Sequence, residues 1–283
     1  MGREGLIILI LLTCLTGNFF SAQDAEAFER VYKRTFIDTR PKNPNEAFRI
    51  ADSLYHVSKT PQFQAKSLML IATLYEQQSQ LEKSISFAEK AETILSGTTD
   101  YEWQSRIYGF LASQYRILQL YGKSGEYAQK AITINNQIKN PVQRNMTMGM
   151  MLQEMAYSKI AFKKYQEAIT YIEKSQKFFN DGGVDLSFFT GGNNQLLGLC
   201  YYSLGQYNLA IDTYKNALKN LSSEPENHVT ALVYNGLAAA YLKKNDFAQT
   251  ETYLKKAQHI ADTSQYPQLQ REVYETARNF YAK

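Results

Sequence analysis

The residues of this chain that could do chemistry are three histidines, two cysteines, two glycine pairs and a scatter of serines. His56, His228 and His259 fall on three different expected elements. None has a cysteine, carboxylate or second histidine at metal-ligand spacing, so no metal or other cofactor is expected. Gly182 and Gly183, with Gly191 and Gly192, have the look of a glycine-rich loop. They lack the Lys-Ser/Thr of a phosphate-binding loop and follow no strand pattern, so they read as a flexible connection. No serine sits in a Gly-x-Ser-x-Gly elbow, and no two carboxylates are placed for acid and base work. No enzyme activity is expected from this set.

The elements that carry these residues follow a repeat. The segment LGLCYYSLGQYNLAIDTYKNAL, residues 197–218, reads as one helix-turn-helix unit, and weaker copies recur about every 40 residues. Each copy aligns on a small residue of its first helix: Ala72, Ala112, Ala156, Gly198, Ala238 and finally Ala277. Twelve positions later come Ser84, Ser124, Ala168, Ala210 and Thr250, and seven beyond those Ala91, Ala131, Ser175, Ala217 and Ala257. Small side chains let antiparallel helices approach to roughly 8–10 Å. Larger residues at helical spacing, such as Tyr108, Leu111 and Tyr115, fill the space between them. Pro61, Pro141, Pro225 and Pro267 each precede an expected first helix, where proline is tolerated. Residues 45–57, NEAFRIADSLYHV, read as the second helix of a degenerate first copy packing through Ala47, Ala51 and Leu54.

This pattern resembles the tetratricopeptide repeat, most closely through Leu197, Gly198, Tyr201, Gly205, Tyr207, Ala210, Tyr214 and Ala217. The copy at 234–257 departs with Ala238, Asn245 and Thr250, and the copy at 68–91 has Ser79 and Leu81 at its turn. The resemblance implies an all-α fold: an α-solenoid of tetratricopeptide-type helix pairs forming a right-handed superhelix. Copies are expected at about 65–98, 105–138, 149–180, 191–224 and 231–264, with a degenerate one at 24–60 and a partial one at 267–283. The period exceeds the usual ~34 residues. The extra length is expected in connections such as GTTDYEWQ and NDGGVDLSFFTGG.

The resemblance also implies a protein or peptide partner, held on the concave face that the first helices line. Carried over by register, the partner-binding positions are Arg106, Ser113, Arg116, Gln153, Tyr157, Gln195, Tyr202, Asn235, Lys243, Tyr274, Arg278 and Tyr281. Amides could bond an extended backbone, aromatics could hold apolar side chains, and arginines could meet an acidic group. The Lys/Asn pattern of carboxylate-clamp members is not reproduced. A net charge of +4 without a Lys/Arg run gives no sign of a nucleic-acid face.

Residues 1–22 stand apart from the array at 23–283. Arg3 precedes an apolar run of about ten residues and then Phe20, Ser21 and Ala22, the pattern of a secretory signal cut after Ala22. The product is then expected to be exported, in a Gram-negative cell to the periplasm, with no membrane span after the signal. A lipoprotein signal through Cys14 and an uncleaved anchor are the other readings. With the signal removed, Cys200 is the single cysteine, expected to be a buried small hydrophobe.

The last copy ends at Lys283 after one helix, striped by Val273, Ala277 and Phe280. Solenoids normally finish on a cap with a polar outer face. That helix is a cap, packs on a second chain, or leads into a longer protein. The last case resembles the exported sensor part of membrane-bound bacterial helix-turn-helix regulators.

Overall fold

The computed structural model describes residues 25–182, 186–222, 227–264 and 267–282. The expected signal at 1–22 and Pro225 lie outside them. The described residues are helical apart from short connections, in two compact units, Met1–Ile107 and Tyr108–Lys283.

The first unit starts with α1, residues 25–42, interrupted by a π-helical stretch at Thr35–Thr39. It continues with α2 (Pro44–Val57), α3 (Pro61–Gln77), α4 (Leu81–Leu95) and the opening turns of α5 (Tyr101–Ile117). The second unit takes the rest of α5, then α6 (Tyr121–Ile134), α7 (Pro141–Ala161) and α8 (Tyr165–Asn180). The remaining helices are α9 (Ser187–Ser203), α10 (Tyr207–Asn220), α11 (His228–Lys243), α12 (Phe247–Thr263) and α13 (Pro267–Tyr281). Odd-numbered helices from α3 onward are the first helices of the pairs.

The helix starts are written in the sequence. Asn43, Thr60, Asn140 and Asp246 each accept a hydrogen bond from the backbone N–H three residues on, at 3.1–3.3 Å, and Asn227 accepts from both Val229 and Thr230. These caps satisfy N–H groups that a helix start leaves without partners, each worth about 1 kcal/mol. Pro44, Pro61 and Pro141 occupy the first helical position, where a missing N–H costs nothing.

The expected small-residue register holds. Ala72, Ala112, Ala156, Ala238 and Ala277 are buried, as are all ten small residues assigned to the second helices. Gly198 is buried on α9. Ala47, Ala51 and Leu54 are buried on α2, as the packing face read for that helix requires, and α1 precedes it. Cys200 has no exposed surface, and burial pushes its thiol up to about 12, leaving it protonated and inert.

The five turns inside the pairs from α3 onward follow one path. Each is three residues long, and its middle residue is left-handed: Ser79, Gln119, Lys163, Gly205 and Asn245 have φ of 58–77°. The middle N–H and the next N–H each donate back to carbonyls of the last helical turn, at 2.8–3.1 Å. The pattern supplies partners for carbonyls that the helix end leaves open. The sequence places the left-handed position through Gly205 alone.

The connections between pairs differ from expectation. Tyr101–Gln104 belong to α5, and Gly191 and Gly192 lie inside α9 rather than in a flexible loop. Gly191 serves a close approach: a Cβ there would meet Leu221 Cγ at 2.7 Å. Its neighbourhood needs the missing side chain, and the loop reading mistook that need for flexibility.

A side chain one turn into a first helix also reaches back to the preceding pair. Gln64 Nε2 donates to the Ser58 carbonyl at 3.1 Å, and Gln104 Nε2 to those of Leu95 (2.9 Å) and Thr98 (3.0 Å). In the second unit Gln270 Nε2 donates to the carbonyls of Ala261 (3.2 Å) and Ser264 (3.1 Å). The amide reads the end of the preceding helix without depending on the connector's sequence.

Candidate partner-binding surface

In the second unit neighbouring first helices touch one another, and bridging polar side chains define the face they share. Arg116, near the end of α5, donates from Nε to Glu154 Oε2 on α7 at 2.9 Å, and its guanidinium lies 4.4 Å from the centre of the Tyr157 ring. The pair is well shielded, with side chains 27% and 12% exposed. Burial pushes the Glu154 carboxyl up while the Arg116 charge pulls against it. Burial also lowers Arg116, but Glu154 and Tyr157 outweigh that and its net shift is upward. The guanidinium is thus a fixed cation, stacked on an aromatic face and oriented by a carboxylate.

From Gln153, the residue before Glu154 on α7, a second bridge crosses to α9. Gln153 Nε2 donates to Asn193 Oδ1 at 3.0 Å, Asn193 Nδ2 donates to Ser175 Oγ at 2.9 Å, and Ser175 Oγ donates to the Gly149 carbonyl at 2.7 Å. Asn193 and Ser175 are fully buried, so the relay fixes the orientation of the half-exposed Gln153 amide. Farther along, Asn235 Nδ2 on α11 approaches the Glu272 carbonyl of α13 at 3.5 Å.

His228, at the start of α11, keeps a solvent-exposed edge. Partial burial lowers its pKa and the Arg116 charge lowers it further. Arg116, Glu154, Tyr157 and His228 are therefore electrostatically linked across three helices.

The structure brings Arg116, Gln153 and Tyr157 together as the centre of this face. Ser113 is half-buried on α5. Gln195 is buried, which leaves it little surface to offer a partner. Tyr202 stands at the end of α9 with its ring 5.6 Å from Tyr207, packed toward its own turn. Lys243 is exposed at the end of α11. On α13, Tyr274 donates its hydroxyl to Asp262, Arg278 is exposed, and Tyr281 rests against Phe280 at 5.0 Å. Arg106 belongs to the first unit, where it pairs with Glu102 at 2.9 Å and lies over Trp103.

The register marks neither Glu154 nor Asn193, and the sequence weighs His228 only as a metal ligand. Glu154 carried a usable signal: it is the lone carboxylate in the otherwise uncharged MGMMLQEMAY stretch, about one repeat beyond Arg116. Among the described residues no group of three or more His, Cys, Asp or Glu could hold a metal ion.

The first unit has its own anchored cation. Lys66 is buried between the rings of Phe63 and Trp103 and pairs with Glu29 of α1, while Phe28 stacks on Phe63 at 4.2 Å. These contacts dock α1 on α3 and leave the lysine engaged.

Models described as tetratricopeptide repeat match residues 65–94 and 192–262. No curated protein matches the sequence. Among solved structures the chain is similar to the apo form of RapI, with a TM-score of 0.61 at 15% identity over 89% of this chain and 72% of that one. It is similar to BtubC from P. vanneervenii, with a TM-score of 0.58 at 20% identity over 85% and 94%. It is also similar to a Rap protein complexed with Competence and Sporulation Factor, with a TM-score of 0.63 at 14% identity over 82% and 62%. At such identities the likeness establishes the fold.

Proposed function

Since the chain is a tetratricopeptide repeat protein, we propose that it is a protein- or peptide-binding scaffold whose partner lies on the first-helix face of the second unit. The observation that carries this reading is the pre-set pair of polar groups at the centre of that face. Arg116 is aimed by Glu154 and stacked on Tyr157, and the Gln153 amide is aimed by the Asn193–Ser175 relay. Groups already held in place lose little freedom on binding, and arginine and tyrosine are the residue types that dominate interface energies. The Rap protein complexed with Competence and Sporulation Factor is a similar fold carrying a bound partner. Photo-crosslinking residues at Gln153 and Tyr157 should capture a partner in intact cells. The same residue at Lys174, exposed on the second helix α8, should not. Equal capture at all three positions would remove the assignment to this face.

Export through residues 1–22, to the periplasm in a Gram-negative cell, is part of the proposal. Its support is Arg3 followed by the apolar run and Ala22. A mature amino terminus at Gln23, read by mass spectrometry of the native protein, is the expected result.

A further inference from the structure

Because the five turns inside the pairs share one backbone path, the residue before the left-handed one holds the same place in each: Gln78, Leu118, Phe162, Leu204 and Lys244. In three successive repeats of the second unit that place carries a large apolar side chain that nothing covers. Leu118 is 38%, Phe162 60% and Leu204 41% exposed. Leu120, Leu209 and Phe247 beside them are exposed as well. Antiparallel alternation puts these turns at one end of the helix pairs. Ser158 Oγ donates to the Tyr121 carbonyl at 3.4 Å, and Lys244 Nζ to Asn208 Oδ1, tying neighbouring turn regions together. The result is an apolar ridge along one edge of the unit, well away from random scatter of single exposed residues.

The ridge is cationic. Residues 117–123, 159–167, 202–209 and 242–247 hold six lysines against two carboxylates, Glu167 and Asp246. Glu167 is neutralised by Lys159 (2.6 Å) and Lys164 (3.4 Å), and Asp246 caps α12. Lys123, Lys163, Lys243 and Lys244 are exposed.

We propose that this edge docks on an anionic lipid surface. Apolar tips flanked by lysines satisfy both layers of such a surface: the side chains enter the headgroup boundary, and the ammonium groups meet the lipid charges while their stems stay apolar. A protein partner fits less well, since lysine is depleted from protein interfaces. The docking is peripheral; among the described residues no helix is long and apolar enough to cross a membrane.

Trp103 is the single tryptophan, so an indole placed by Phe162→Trp in a Trp103→Phe background reports on the ridge. In the full chain its emission should shift to the blue on vesicles of phosphatidylglycerol mixed with phosphatidylcholine. It should not shift on phosphatidylcholine alone, and added salt should reverse it. Lys163→Glu and Lys243→Glu together should weaken this partition at least about tenfold without lowering Tm, since both side chains are exposed. Attachment through residues 1–22 alone would leave the indole in water. The proposal is overturned by the absence of a shift on anionic vesicles, by an equal shift on neutral ones, or by an unchanged partition of the lysine variant. It is also overturned if a photo-crosslinker at Phe162 captures a protein and no lipid. Should Trp103→Phe disturb the first unit, the difference spectrum of Phe162→Trp against the wild-type chain gives the same reading.

Discussion

The ring of Tyr214 on α10 occupies the space that a side chain on Gly236 of α11 would need. A Cβ at Gly236 would lie 2.3 Å from Tyr214 Cζ, and one at Gly198 would lie 2.6 Å from Cε1. Tyr214 is fully buried between these two bare backbones, and burial pushes its hydroxyl pKa strongly upward. Gly236→Ala gains ~1 kcal/mol in helix propensity but forces a rigid ring to move. Overpacking of this kind costs ~1–3 kcal/mol, so Tm should fall. In a Tyr214→Leu background the same change should be close to neutral or stabilising. Additive effects in that double-mutant cycle would mean that ring and glycine are not in conflict.

The left-handed turn residues make an opposite prediction. A side chain held in that region costs roughly 1–2 kcal/mol, which glycine avoids. Lys163 bears the cost at φ 58°, where Gly205 does not. Lys163→Gly should therefore raise thermal stability by up to about 1 kcal/mol, since glycine returns part of the gain through its unfolded-state entropy. Gly205→Ala should lower it by a similar amount. A lower Tm for Lys163→Gly would refute the shared turn.

Two small residues of the second helices are over-polar for their sites. The hydroxyls of Ser84 and Ser124 are buried with no hydrogen-bond partner, at the position where later copies have Ala168 and Ala210. Ser84→Ala and Ser124→Ala should each stabilise by about 1 kcal/mol, because an unsatisfied buried hydroxyl is removed at almost constant volume. Urea midpoints measure this directly; a loss of stability would show that the hydroxyls are satisfied in solution.

Breaking the Arg116–Glu154 pair from one side should be expensive. Glu154→Gln leaves a shielded guanidinium without its counter-charge, a change that costs ~3–5 kcal/mol for fully buried pairs and less here, where Arg116 keeps a quarter of its surface. Replacing both residues by methionine should recover most of that stability while abolishing partner capture at Gln153 and Tyr157. Full capture by the double variant would separate the pair from binding.

His228 gives the pH signature. Its folded pKa lies below the ordinary 6.5, so the unfolded chain takes up the proton first. The stability it contributes is present above the unfolded value and is lost as pH falls through the folded one. His228→Asn should flatten that part of the Tm–pH profile. Arg116→Gln should raise the His228 pKa in an NMR titration, and an unmoved titration would exclude the electrostatic link between the two.

The helix pairs, their register and the buried alanines were legible because close packing leaves a mark at fixed spacing: Ala72, Ala112 and Ala156 announce themselves. Glycines were harder. Gly191 and Gly198 do the same work, yet Gly191 stood beside Gly182 and Gly183 and read as loop. Nothing local distinguishes a glycine that needs freedom from one that makes room for Leu221 or Tyr214 on another helix. The proposed partner face is half legible for a related reason. Register names Arg116, Gln153 and Tyr157, which the structure brings together, but Glu154 and Asn193 act across repeats, where each residue's partner lies about 40 positions away. Gln195 shows the limit of register: the same helical face turns inward when the neighbouring helix covers it.

From α3 onward the turn within a pair keeps one length, three residues, whereas the connectors between pairs run from three residues to seven. The glutamines at 64, 104 and 270 fasten a new pair through backbone carbonyls, of the old helix end at Leu95 and Ala261 and of the connector at Ser58, Thr98 and Ser264. Heredity therefore has one kind of joint it must copy faithfully and another it is free to edit. Whole pairs can be duplicated, lost or exchanged at the second kind without disturbing the first.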